Sequence, residues 1–179
     1  MLVIAFLGMG KMGRPMAYNL ASAGFRVKCW NRTSEKLGSL PSILEAHEDL
    51  QRTIAGADVV ISMLSDGSAT KKVISKLENK VLSSIKTWIE MASVLPQEAI
   101  DQSAFFQKNN ITYLDAPVSG GTVAANNRNL AIMVGGEDDV YKEAIKIFEP
   151  LGKSVLVGPC GAGQLSLIHI SEPTRRRGI

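Results

Sequence analysis

The sequence predicts an α/β fold on a doubly wound, largely parallel sheet, and three observations carry that expectation. Apolar, strand-like segments alternate with helical patterns along almost all of the 179 residues, the arrangement of a sheet covered by helices on both faces. The first apolar segment runs straight into Gly8-Met9-Gly10-Lys11-Met12-Gly13, followed by an amphipathic helix pattern. Residues 59–64, VVISML, form an unbroken apolar run, typical of a central strand buried on both sides. The length suffices for one sizeable domain with its own core.

Taken in order, residues 2–7 read as the first strand and a second short strand ends at Trp30. A helix is expected from Thr33 or Ser34, a weak third strand over 42–46, and helix over 48–54. After strand 59–64, Gly67 and Ser68 start a helix running towards Leu77, and a fifth strand spans 87–91. Pro96 opens the next helix, to about Lys108, since proline suits a first helical turn. Strands over 112–115, 130–134 and 154–157, with a helix over 137–148, complete the pattern.

The strand, glycine turn, helix and strand over residues 2–30 form the unit of a Rossmann-type dinucleotide fold, and each part has a physical reason. Gly8 permits the tight turn, Gly10 lets the backbone approach a pyrophosphate, and Gly13 lets the helix pack closely on the sheet. The pyrophosphate then meets free N–H groups at the positive end of a helix dipole. An NAD site usually ends its second strand in Asp or Glu, which accepts from the ribose 2′-OH. Here Asn31-Arg32-Thr33 stands instead. A guanidinium, an amide and a hydroxyl favour a 2′-phosphate, so NADP(H) is preferred and NAD(H) is the alternative.

A net charge of +3 points to neither nucleic acid nor membrane, and no apolar run reaches the length of a membrane span. The strand at the N-terminus does not read as a signal peptide. Cys29 and Cys160 lack any metal or CxxC spacing, so both are expected as free buried thiols in a reducing cytoplasm, with no metal site. Met9, Met12, Met16, Met63, Met91 and Met133 read as core and cleft packing. Lys71, Lys72 and Lys76 read as a solvated helix face, and His47 as surface. Ser119-Gly120-Gly121 offers a hydroxyl and open N–H groups that suit a small carboxylate, although a plain Ser/Gly turn explains it as well.

The chain resembles the β-hydroxyacid dehydrogenase family, which includes 3-hydroxyisobutyrate dehydrogenase, tartronate semialdehyde reductase, and glyoxylate and succinic semialdehyde reductases. The resemblance rests on FLGMGKMGRPMAYNL (6–20), DAPVSGGTVAA (115–125), LAIMVGG (130–136) and VGPCGAGQ (157–164), and covers residues 1 to about 164. It implies that Gly8, Met9, Gly10, Lys11, Met12, Gly13, Asn31, Arg32 and Thr33 hold the cofactor. Met63 and Leu64 would line its path, and Ser93 would meet the nicotinamide side. Ser119, Gly120 and Gly121 would bind the substrate carboxylate. The implied reaction is reversible hydride transfer to a semialdehyde or short 2-oxo acid, in a cytoplasmic enzyme whose full-length form is a homo-oligomer. Two departures stand out: Glu90-Met91-Ala92-Ser93 replaces the family's Asp-x-Ser-Thr, and Arg128 stands near a common glycine.

A third departure bears on catalysis. The family's proton-transferring lysine, on a helix leading to an all-α second domain, falls here at Leu167, so no catalytic residue is present. Residues 165–175, LSLIHISEPTR, resemble the conceptual translation of a sequencing adapter. The expected organisation is therefore an NADP(H)-binding domain over 1–164, a non-native tail over 165–179, the helical domain absent, and a chain that is inactive as it stands. A genuine basic tail bearing Arg175, Arg176 and Arg177 is the alternative, and His169 has no visible partner. Two further readings stay open: a 6-phosphogluconate-dehydrogenase-like cofactor domain, which shares Asn-Arg-Thr and Ser-Gly-Gly, or a non-catalytic NADPH-binding module.

Overall fold

The computed structural model describes residues 1–171, with side chains as far as residue 168. The side chain of His169 and the three arginines at 175–177 lie outside the described residues. Nine strands form one sheet: β1 (Val3–Leu7), β2 (Arg26–Trp30), β3 (Glu45–Ala46), β4 (Val59–Ser62), β5 (Thr87–Glu90), β6 (Thr112–Asp115), β7 (Val118–Ser119), β8 (Leu130–Gly135) and β9 (Gly152–Gly158). Among the described residues the helices that cover it are α1 (Gly13–Ser22), α2 (Leu50–Ile54), α3 (Gly67–Ile74), α4 (Asn79–Leu82), α5 (Pro96–Lys108), α6 (Gly121–Asn126), α7 (Asp138–Phe148) and α8 (Ala162–Ser171). Among the described residues no helix is long and apolar enough to cross a membrane.

The strand order β3-β2-β1-β4-β5-β6 is parallel throughout. The chain reverses direction at β8, which meets β6 at Asp115–Gly135 and β7 at Val118–Ile132, both antiparallel, while β9 joins β8 in parallel. Period-two alternation sends each strand's side chains to two separate cores. Ile4, Phe6, Val59, Ile61, Ile89 and Leu114 pack under α1, α6 and α7, whereas Ala5, Leu7, Val60, Trp88 and Tyr113 pack under α2, α3, α4 and α5. An aromatic stack fills the second core. Phe106 lies 4.7 Å from Trp88 and 5.7 Å from Tyr113 between ring centroids. Both polar tips are used: the Trp88 Nε1–H donates to Ser62 Oγ and the Tyr113 hydroxyl to Gln102 Oε1.

Several expectations shift. The helix expected from Thr33 or Ser34 is only a single 3-10 turn, Ser34–Lys36, and the third strand shrinks to Glu45–Ala46. A helix needs several residues to offset its costly first turn, and Gly38 and Pro41 interrupt this segment. Asp49 caps α2 by accepting the Arg52 N–H, which starts the helix later than residue 48, and α3 stops at Ile74. Short elements α4, β7 and α6 carry too few residues for a periodic signal. His47 is half-buried, with Nε2 3.9 Å from Glu45 Oε2, and Cys160 is half-buried too. Burial pushes both thiols up to about 12. Arg128 takes a left-handed φ of 57°, a conformation glycine adopts more readily, and its Nε donates to Asn19 Oδ1.

Two buried carboxyls end neighbouring strands. The Asp115 carboxylate accepts the Gly161 and Gln164 N–H groups, at 2.7 and 3.0 Å, and so anchors the start of α8. Glu90 is fully buried; its Oε1 accepts the Ala92 N–H, and its Oε2 has no partner among the described residues. Burial pushes the Glu90 carboxyl up to about 8, against the opposing pull of nearby Thr70, Ala92 and Ser62. Burial also raises Asp115. The folded chain therefore keeps a proton on Glu90 that the unfolded chain loses near the ordinary value of 4.5, so stability is greatest below that value and falls as pH rises towards 8. Urea unfolding of wild type should lose up to about 1.4 kcal/mol per pH unit across that window through this group. Glu90→Gln should flatten the profile, with Asp115 supplying the residual slope. Identical profiles would show that Glu90 does not titrate there.

Candidate functional site: a basic nucleotide cleft

A cleft of 480 Å³ opens where the carboxyl ends of β1, β2 and β4 meet, the point at which the strand order reverses and open α/β sheets bind ligands. Its floor is the turn after β1. Gly8 has φ +108°, and a Cβ there would lie 2.3 Å from the Met63 carbonyl oxygen. A Cβ at Gly13 would lie 1.8 Å from the Gly8 carbonyl oxygen, so α1 can approach the turn only because both residues are glycine. Gly10 differs: nothing of the protein lies within 4 Å of where its Cβ would be, so that space belongs to the cleft.

The turn is braced from β2. Asn31 Oδ1 accepts the Met9 N–H at 2.9 Å and its Nδ2 donates to the Thr33 carbonyl, while the Gly8 N–H donates to the Trp30 carbonyl. The Asn31 amide is thus committed to holding the loop. Met9 turns its side chain into the core, 1% exposed, and does not line the cleft. Among the described residues no protein group accepts the N–H of Gly10, Lys11 or Met12. These open donors, beside the start of α1, fit a pyrophosphate.

Of the sequence-derived cofactor residues, Gly8, Gly10, Lys11, Met12, Gly13, Asn31, Arg32, Thr33, Met63 and Leu64 line this one cleft. Ser93 does not; it is exposed in the turn between β5 and α5. Ser119, Gly120 and Gly121, at β7 and the start of α6, also lie outside it. Lys36, Lys72, Val73 and Lys76 line the cleft although nothing in the sequence drew attention to them as ligand residues. For Lys72, Val73 and Lys76 the signal was their spacing with Ala69, that of one helical stripe in the sequence; Lys36 had none. Among the described residues no Asp or Glu lines the cleft, and no group of three His, Cys, Asp or Glu side chains is placed to hold a metal.

On the far side of β5, Gln164 locks a second cluster. It is 1% exposed; its Oε1 accepts the Val94 N–H, its Nε2 donates to the Ala92 carbonyl, and its own N–H donates to Asp115. The loop bearing Ser93 is thereby tied to the start of α8. That helix runs through residue 164 to Ser171, so Leu167 sits within it, about one turn past Gln164.

Comparison with known proteins follows the same lines. An L-serine dehydrogenase of Pseudomonas aeruginosa, NAD-dependent, is 33% identical over 92% of this chain and 57% of its own length. The 2-hydroxy-3-oxopropionate reductase of Escherichia coli is 34% identical over 90% of this chain and 56% of its own. A solved structure of Mycobacterium tuberculosis 3-hydroxyisobutyrate dehydrogenase with L-serine superposes with a TM-score of 0.88 and 31% identity, over 95% of this chain and 59% of that one. The chain thus spans less than two thirds of each relative. The model of the NAD binding domain of 6-phosphogluconate dehydrogenase matches residues 3–159. With that match over most of its length, the chain belongs to this family of NAD(P)-binding oxidoreductase domains.

Proposed function

We propose that the cleft binds NADP(H), and that the domain serves reversible hydride transfer between the nicotinamide and a short β-hydroxyacid, its semialdehyde, or a 2-oxo acid. The observation that carries this reading is the company of the glycine turn: Arg32 and Thr33 at the end of β2, with no carboxylate among the described residues lining the cleft. A carboxylate there would repel a 2′-phosphate, whereas a guanidinium binds one with charge-assisted bonds. The open N–H groups of the turn hold the pyrophosphate, and Asn31 keeps them aimed by bracing Met9. Met63 and Leu64 would guide the cofactor towards the nicotinamide side, where Ser93 would meet it. Ser119, Gly120 and Gly121 would orient a substrate carboxylate. NADPH, when bound, supplies the hydride.

Delivering a hydride to a carbonyl also requires a proton at the developing alkoxide. Leu167 occupies the position at which the resembled family carries its lysine and can neither give nor take one. The chain as it stands therefore holds cofactor without turnover, and residues 165–179 are read as foreign to the native protein. A phosphorylated sugar acid is the second substrate class, favoured by the family whose model matches.

Three measurements test this. Calorimetric titration should show NADPH binding at least about tenfold tighter than NADH, about 1.4 kcal/mol. Arg32→Ala should bring the two close to parity; equal affinities in wild type would overturn the NADP(H) reading. Gly10→Ala should keep the unfolding midpoint but weaken cofactor binding about tenfold or more, because its methyl group enters only ligand space. Gly13→Ala should instead cost about 1–3 kcal/mol of stability, and the reverse pattern would contradict the roles assigned to the turn. Finally, Leu167→Lys should raise turnover about a hundredfold or more in the chain joined to a relative's helical domain, assayed with hydroxyacids and with 6-phosphogluconate. No gain with either would refute the role given to position 167.

A further inference from the structure

The cleft holds more positive charge than a pyrophosphate requires. Lys11, Arg32, Lys36, Lys72 and Lys76 all line it, from two facing walls. Lys11 belongs to the turn; Arg32 and Lys36 stand on the β2 side; Lys72 and Lys76 stand on α3 and the turn after it. Among the described residues none of the five forms an ion pair, and the ion pairs of this chain lie elsewhere, at Glu45, Asp58, Asp138 and Asp139. Asp66 lies below its ordinary value chiefly because it accepts the Ala69 N–H, with the Ser65 side chain next and Lys72 adding the smallest share. Asp66 is occupied in capping α3 through the Ala69 N–H and does not line the cleft.

Both walls are fixed from behind, so the charges are presented by anchored backbone. Arg14 donates to the Lys36 carbonyl at 2.7 Å and to Ser39 Oγ at 2.9 Å, tying the 3-10 turn to α1. Gln51 Nε2 donates to the Lys76 carbonyl at 2.6 Å, and its Oε1 accepts the Glu78 N–H, tying the end of α3 to α2. Along α3 and the turn after it, Ala69, Lys72, Val73 and Lys76 pair an apolar surface with two ammonium groups. That combination suits a base lying on the helix with an anion beside it. Lysine stems lie along apolar surface while their charged ends reach outwards.

We propose that Lys72 and Lys76 form the second jaw of a clamp on the adenosine 2′-phosphate, closing from α3 opposite Arg32, and that they set cofactor choice together with it. The inference rests on the NADP(H) reading above and deepens it by assigning specificity to a helix that sequence alone marked as solvated. The donated bonds come from two ammonium groups whose charge is otherwise unpaired, and the phosphate offers several strong acceptors. A clamp of exposed cations is also screened by salt, which distinguishes it from binding through the turn N–H groups alone.

The test uses 2′,5′-ADP, 3′,5′-ADP and ADP as probes, titrated calorimetrically at low and high salt into wild type, Arg32→Ala and the double variant Lys72→Gln/Lys76→Gln. Glutamine keeps much of each stem and removes only the charge. The double variant should bind 2′,5′-ADP about tenfold more weakly, with ADP changed by no more than about twofold, and its salt dependence should be shallower than wild type. A wild-type preference for 2′,5′-ADP that survives the double substitution, or an equal loss for both probes, overturns the clamp while leaving the NADP(H) reading intact. A wild type that holds ADP and 2′,5′-ADP equally overturns the NADP(H) reading itself. Stronger binding of 3′,5′-ADP than 2′,5′-ADP would assign the lysines to a different phosphate position and defeat the proposal.

Discussion

Where a β-carbon on residue 13 would sit, the carbonyl oxygen of Gly8 already lies 1.8 Å away. That approach sets α1 against the end of β1 and exposes the N–H groups of residues 10–12 to the cleft. It also leaves Gly8 in a left-handed conformation under the Met63 carbonyl, joining the ends of β1 and β4. The remaining features of the site are arranged around this contact. Asn31 clamps the loop through the Met9 N–H, and β2 thereby brings Arg32 and Thr33 to its edge. Enlarging either glycine would separate the layers that define the cleft, whereas Gly10 faces only the space kept for a ligand.

A second fixed point organises the other end of the sheet. Burial raises the Asp115 carboxyl, and the N–H groups of Gly161 and Gln164 pull it the other way while fixing its position. Gln164 extends the same lock to Ala92 and Val94. The turn bearing Ser93, the end of β6 and the start of α8 are thus joined by one set of buried hydrogen bonds. Glu90, one strand over, lacks such compensation at Oε2, and that difference separates a carboxyl held as an anchor from one kept protonated by its surroundings.

Much of this was legible in the residues. The glycine spacing, the apolar run at 59–64 and the alternation of segments led to the doubly wound sheet, because they reflect local geometry that each segment carries with it. Arg32 and Thr33 could be read as cofactor residues from their distance after the glycines. Other features had no local signature. Asn31 looked like a ligand residue, yet its amide is committed to Met9 and Thr33, a pairing across 22 positions. The antiparallel arrangement at β8 pairs Asp115 with Gly135, and Arg128, in a left-handed conformation, donates to Asn19 across more than a hundred positions.

The sequence by itself determined the fold class and the place of the glycine turn, since these follow from spacing along the chain, and its motifs carried the resemblance to the family. Tertiary structure decided which charges share a site. Lys72 and Lys76 carry no signal along the chain that links them to Arg32; only the fold puts all three around the same cleft. Electrostatic partnership depends on distance through space, and distance through space is what the linear order of residues does not carry.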